Sequence, residues 1–317
     1  MPAAGSTTLL QTLSDDLAGA AERAGASVVA IHARRRIPSS GVIWAPDVIV
    51  TASHTLQRED DLQVTLANGE KVPATLGGRD PATDIALLRF DAAATPATID
   101  SGDSLRVGQM VLALGRPGPS ITAALGIVSA VGGEWRTWHG GRIDRFVRLD
   151  LAIYDGFSGG PLVDGSGRVL GINTSALSRS AALTIPASTV SRVAEQLKTT
   201  GRVRRGYIGI AGQPVRIPDD LVRSLSLAQE IGLMVVGVDD GGPAHKAGVL
   251  LGDVVITFDG EAVEDPGELM AALSADRVGS EVPIGVIRAG RREQLRVTVA
   301  DRPSASGETR RVGGRRR

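Results

Sequence analysis

Apolar positions along this chain follow two periods. Leu9, Leu10, Leu13, Leu17, Ala20, Ala21 and Ala24 recur at helical spacing and Gly25 closes the run, which predicts an amphipathic N-terminal helix within 1–26. From Ser27 the period changes. Short apolar runs at 28–33, 42–44, 48–50, 62–66 and 85–90 are separated by Gly, Pro, Asn and Asp, the pattern of an all-β barrel. Asn68-Gly69 is a hairpin signal inside that set. A second set, at 111–114, 122–131, 146–149, 162–163, 169–172 and 183–185, predicts a second barrel. Between 131 and 146 a glycine-flanked segment holds Trp135 and Trp138. It is expected to be a hairpin tip with its aromatics folded onto the barrel, a regulatory loop being the alternative. Ser188 is expected to cap a closing helix with Val190, Val193, Ala194 and Leu197 on its apolar face and Gly201 at its end.

The pattern then starts again. Arg202-Val203-Arg204-Arg205 reads as a solvated hinge, so the two barrels are assigned to 27–201, a linker to 202–205 and a further domain to 206–303. In that domain Asp265-Pro266 is an N-cap followed by proline at the first helical position, which predicts a helix carrying Leu269, Met270 and Leu273 inward. The Ser, Gly and Arg of 304–317 offer almost nothing to bury, and a disordered basic tail is expected there.

Composition narrows the classes. A length of 317 residues suits two or three domains, and 42% hydrophobic with 22% charged residues is a globular composition. The 35 basic and 35 acidic residues cancel, which gives no case for nucleic acid or an anionic membrane as partner. With no cysteine, thiol catalysis and cysteine metal sites are excluded. No run is long enough to span a bilayer, and the first residues have neither a basic n-region nor a sustained apolar stretch. The expectation is a soluble cytoplasmic protein, or a periplasmic or secreted one if the N-terminus has been trimmed.

Candidate chemistry centres on Asp155-Gly156-Phe157-Ser158-Gly159-Gly160. A serine hydroxyl is a weak nucleophile that needs a general base and a site for developing negative charge. Glycines at 156 and 159 let the backbone turn so that the N–H groups of Gly156 and Ser158 face one small space, an oxyanion hole. Upstream, His54 follows the apolar run 48–52, and Asp84 opens the run 85–90. The order His, Asp, Ser is that of chymotrypsin-type peptidases. His54 is assigned general base and acid, and Asp84 the carboxylate that holds its tautomer. His32, His139 and His245 lack such a context.

The segments 40–43, 51–54, 83–88, 126–129 and 156–162 resemble those of the HtrA/Deg family of trypsin-like serine proteases with PDZ domains, over nearly the whole chain. The resemblance implies a mainly β protein, with a chymotrypsin-like double β-barrel followed by an α+β PDZ domain. It implies ATP-independent cleavage of unfolded or extended polypeptide in protein quality control, with no cofactor, and a trimer or a multiple of three. The family's acidic residue for cleavage after Lys or Arg would stand six residues before the serine, and here that position is Ala152. With Ile153 beside it, cleavage after small or aliphatic residues is expected. The segment Ala182, Leu183, Thr184 and Ile185 resembles the strand that lines the family's site, and substrate is expected to add along it. Tyr207, Ile208, Gly209 and Ile210 resemble the loop that binds a C-terminal carboxylate, with Met270 and Leu273 lining the socket for a hydrophobic last residue that would regulate the protease.

The chain departs from the family at Tyr154, Asp155 and Phe157, where the family carries asparagine and Asn-Pro. A large aromatic beside the nucleophile is expected to bias the loop toward a resting state with one N–H turned away. The alternative function is accordingly a non-proteolytic PDZ-bearing adaptor or holdase chaperone with an inactive oxyanion loop.

Overall fold

A computed structural model describes residues 8–102, 105–138, 140–178 and 181–302. The expected tail at 304–317 and His139 lie outside the described residues. The chain divides into two compact units, 1–203 and 204–317.

The first unit opens with α1 (Leu9–Gly25), whose Thr8 side chain accepts a hydrogen bond from the backbone N–H of Gln11. Six strands follow: β1 (Val28–His32), β2 (Ser39–Ala45), β3 (Val48–Ala52), β4 (Leu62–Thr65), β5 (Lys71–Asp80) and β6 (Ile85–Phe90). They close a barrel in the order β1-β2-β3-β6-β5-β4. Asn68 turns β4 into β5, its side chain accepting from the N–H of Glu70 while Gly69 adopts φ 86°. Val29, Ile31, Ile43, Ile49, Leu62, Val64 and Leu88 fill the interior. Each is worth roughly 1.5–3 kcal/mol in transfer free energy.

The second barrel uses β7 (Met110–Gly115), β8 (Thr122–Val131), β11 (Val147–Asp150), β12 (Pro161–Val163), β13 (Val169–Thr174) and β14 (Ala182–Pro186), in the order β11-β14-β13-β12-β7-β8. The tryptophan segment is a hairpin of β9 (Trp135–Arg136) and β10 (Arg142–Ile143). Its two aromatics part company. Trp135 packs edge-on against Phe146 with centroids 5.7 Å apart, whereas Trp138 is 94% exposed. The closing helix α2 (Ala187–Thr200) buries Val190, Val193, Ala194 and Leu197 and ends at Gly201 with φ 72°. Its N-cap is Pro186, so Ser188 lies inside the first turn and caps nothing. Strand pairing through Pro186 delays the turn into helix by less than the sequence pattern predicts.

The second unit contains β15 (Gly206–Tyr207), β16 (Ile210–Arg216), α3 (Asp219–Ser224), β17 (Ile231–Val238), α4 (Pro243–Lys246), β18 (Val254–Phe258), β19 (Glu261–Ala262), α5 (Pro266–Ala272), β20 (Glu281–Arg288), β21 (Arg291–Thr298) and β22 (Ala300–Asp301). The main sheet runs β16-β17-β18-β20-β21, which leaves β16 at an edge. Asp265 caps α5, accepting from the N–H of Glu268 at 2.9 Å, and Leu269 faces the core.

Candidate functional site

The site assembles where the two barrels of the first unit meet. β3 delivers its last residue, Ala52, into a single 3-10 turn, Ser53–Thr55, and this turn presents His54. Asp84 stands one residue before β6 in the left-handed region at φ 60°, a conformation unfavourable for a residue with a Cβ. Hydrogen bonds hold it there. Its carbonyl accepts from the N–H of Ser53 at 3.0 Å, and its carboxylate accepts from the N–H of His54 at 2.8 Å. His54 Nδ1 lies 2.8 Å from Asp84 Oδ2, and the Thr174 hydroxyl donates to the same oxygen at 2.5 Å. Asp84 is 2% exposed, so its lone pairs are satisfied by these fixed donors rather than by water.

Ser158 sits on a loop whose glycines are forced by close approach. Gly156 has φ 91°, and a Cβ there would come within 2.8 Å of the Pro38 carbonyl oxygen. At Gly159, with φ 88°, it would lie 2.1 Å from the Ser40 carbonyl oxygen. Ser40, at the start of the first barrel's β2, ties the loop down. Its hydroxyl donates to the Gly156 carbonyl at 2.6 Å and accepts from the N–H of Arg116 at 2.7 Å. Among the described residues, the N–H groups of Gly156 and Ser158 donate to nothing. Two backbone donors therefore stand open beside the hydroxyl.

The Ser158 hydroxyl is bonded to Ser175 Oγ at 3.1 Å, and Ser175 Oγ lies 3.5 Å from His54 Nε2. Ser175 thus stands between the candidate nucleophile and base. Thr174 and Ser175 go unnoticed in the sequence because small hydroxyl residues are common in turns, and Ser40, though part of the segment 40–43, is given no role there. The Gly-Ile-Asn-Thr run at the end of β13 is the only pointer to the first two.

Phe157 is fully buried, packed with Val111, Leu149 and Leu162 of the second barrel and edge-on to Tyr154 at 5.4 Å. Its ring points into the barrel, while the N–H groups of Gly156 and Ser158 both lack an acceptor among the described residues. Ala152 is exposed and Ile153 half-buried against the same core.

The expected substrate strand requires correction. Leu183, Thr184 and Ile185 are buried, and β14 is paired on one edge with β11 and on the other with β13. Ala182 is also paired, to Leu149. An added strand would have to displace the β13 pairing along 183–186 or the β11 pairing at 182–183. The backbone beside Ser158 and beyond the last pairing is instead that of Ser175 and Ala176. Thr184 does act on the site at one remove: its hydroxyl donates to the Asn173 side chain, and the Asn173 carbonyl accepts from the N–H of Gly159.

In the second unit, the N–H groups of Ile208 and Gly209 have no acceptor among the described residues. Ile208 itself is buried core, so only its backbone is open to a ligand. Ile210 begins the edge strand β16, against which α5 with Met270 packs. Leu273 is half-buried on the core, its carbonyl accepting from Gly206. The Tyr207 hydroxyl donates to Asp239; burial first, then that hydrogen bond, push its pKa up to about 12. No group of His, Asp or Glu with the spacing to hold a metal ion occurs among the described residues.

Comparisons with known proteins agree with this geometry. Residues 39–172 match the family described as "Trypsin-like peptidase domain", and residues 206–299 match "PDZ domain". A "Probable periplasmic serine endoprotease DegP-like" of Brucella suis biovar 1 is 38% identical over 288 residues, 88% of this chain and 55% of that protein. The chain thus spans about half the length of the curated relatives it matches. Among solved structures, "HtrA-type protease AlgW with decapeptide" superimposes with a TM-score of 0.73 at 30% identity, covering 91% of this chain and 99% of that one. The serine endoprotease from Yersinia pestis gives 0.73 at 30%, covering 90% and 98%. The relatives are named periplasmic, which overturns the expectation of a cytoplasmic protein. Two closed barrels, the His54, Asp84 and Ser158 geometry, a following PDZ domain and these likenesses together place the chain in the HtrA/Deg family of trypsin-like serine proteases.

Proposed function

We propose that the chain is a periplasmic, ATP-independent serine endopeptidase of protein quality control that cuts extended polypeptide after small or aliphatic residues. The observation that carries this reading is His54 Nδ1 held 2.8 Å from a buried Asp84, with two unengaged N–H groups flanking the Ser158 hydroxyl. In the reaction, Ser158 Oγ bonds to the scissile carbonyl carbon and its proton passes to His54 Nε2. The oxyanion accepts from the N–H groups of Gly156 and Ser158, each worth about 2.7–4 kcal/mol in the barrier. His54 then protonates the amine as the C–N bond breaks, and water releases the acyl group by the same steps. Asp84 stabilises the imidazolium and fixes the ring. Ala152 leaves the pocket before the serine without a charge, which supports small aliphatic residues there. Substrate lies along Ser175 and Ala176.

The open N–H groups at Ile208 and Gly209, beside an edge strand and a helix, support capture of a hydrophobic C-terminus by the second unit. Binding there regulates cleavage to the extent that the peptide favours the active state. Self-association as a trimer fits the apolar Leu9 and Leu10, which α1 leaves exposed. A second reading, the non-proteolytic adaptor, is favoured by one observation: Ser158 bonds Ser175 rather than His54. Casein hydrolysis together with labelling by a fluorophosphonate separates the two. Turnover and labelling by the parent, both lost in Ser158→Ala with the melting temperature kept, support the peptidase; equal turnover in both proteins rejects it.

A further inference from the structure

The loop between β1 and β2 carries Arg34-Arg35-Arg36-Ile37, and it closes against the oxyanion loop. An added Cβ at Gly156 would lie 3.3 Å from Ile37 Cγ2. Beside this contact is a cavity of about 380 Å³ lined by Arg34, Arg35, Arg36, Ile37, Gln57 and Asp155. The lining thus has three arginines and one carboxylate residue.

The loop is not a loose basic arm. Arg34 folds back to donate to the carbonyls of Ile37 at 2.5 Å and Pro38 at 3.3 Å, which fixes the cavity wall. Arg58 is likewise tied to the His32 carbonyl at 2.7 Å, and Glu59 is paired with Arg79. Arg35 and Arg36 are exposed, and neither has a hydrogen bond or ion pair among the described residues. His32, at the end of the adjoining strand, has its pKa lowered by burial and then by the charges of Lys71 and Arg58.

Position relative to the chemistry gives the cavity a direction. The backbone assigned above to the acyl part of a substrate, Ser175 and Ala176, does not line the cavity, whereas Gln57, three residues past His54, and Asp155, beside the oxyanion-loop Gly156, do. A chain that occupies both therefore meets the cavity with the part beyond the cut. We propose that the arginine-lined cavity beside the oxyanion loop is a subsite for acidic side chains of the substrate on the leaving-group side of the scissile bond. This rests on the peptidase reading above.

The test uses three internally quenched peptides with a valine before the cut, identical except for Glu, Ala or Lys at the second residue beyond it. For each protein the measurement is the ratio of kcat/KM between peptides at low salt. Two exposed charge pairs predict that the parent prefers Glu over Ala by about five-fold and discriminates against Lys. The ratio falls toward one in Arg35→Ser/Arg36→Ser, returns in Arg35→Lys/Arg36→Lys, and falls for the parent in about 1 M salt, where screening acts within about 3 Å. Melting temperatures of the variants verify that they are folded. Equal rates for the three peptides, or the parent's ratio unchanged in the serine variant, overturn the subsite and leave the peptidase standing. No cleavage of any peptide, with no fluorophosphonate labelling of Ser158, overturns both.

Discussion

Phe157 shows how a residue beside the nucleophile acts through packing. Its ring fills space in the second barrel, and an added Cβ at Gly115 would lie 2.8 Å from the ring carbon Cδ1, so little slack surrounds it. Phe157→Asn removes most of that volume and buries an amide without a partner. It is expected to destabilise the protein by about 3–5 kcal/mol and to slow fluorophosphonate labelling of Ser158, because the loop loses its anchor. Faster labelling with an unchanged melting temperature would instead restore the resting-state switch expected from the sequence. Size and position of this residue were legible in the sequence; the direction of its side chain was not, since a single aromatic carries no periodicity. The same limit hid the role of Ser40. Its hydroxyl reaches Gly156 across 116 positions of chain, a pairing that only closure of both barrels creates.

Strand pairing decides which segments can meet a substrate. The triad was legible because His54 follows a recognisable apolar run, Asp84 opens one and Ser158 stands in a glycine-rich turn, but β14 was misjudged because an apolar run does not state which of its edges are taken. The turn from β12 to β13 carries a further element-level device. Asp164 accepts from the N–H and hydroxyl of Ser166 and from the N–H of Arg168, while its second oxygen meets the Arg168 guanidinium at 2.8 Å. Burial raises its pKa, but these hydrogen bonds outweigh it and the net shift is downward. The folded state therefore binds the proton less readily than the unfolded chain. The stabilisation is complete above the ordinary carboxylate range and is lost as pH falls through the folded value. Asp164→Asn is expected to cost about 1–3 kcal/mol at neutral pH, with the gap to the parent closing below about pH 4. Thermal melts of both proteins from neutral to acid pH check this. A gap that stays constant across that range would mean the turn is held by its backbone and not by the carboxylate.

At the scale of the whole molecule, each unit closes its own core. In the first, Val190, Val193 and Leu197 of α2 join Ile172 and Ile185 of one barrel to Val42 and Ile85 of the other. Arg116 fastens α1 to them, its buried guanidinium donating to the carbonyls of Val28, Gly25 and Pro119. In the second, Ile208, Leu233, Val255, Phe258, Val286 and Val297 pack among themselves. Fragments 1–203 and 204–302 are each expected to melt cooperatively. The sequence pattern ends the first domain at Gly201, where the helix stops, but Val203 packs onto the first core from beyond that stop. A half-buried valine contributes about 1 kcal/mol, and in a unit of this size that moves the melting temperature by roughly 2–4 °C. Calorimetry on 1–201 and 1–203 then has a defined outcome. The longer fragment melts higher, and Val203→Ser within it removes the difference. Identical melts would return the boundary to Gly201, and aggregation of both would mean that the first unit depends on residues beyond 203.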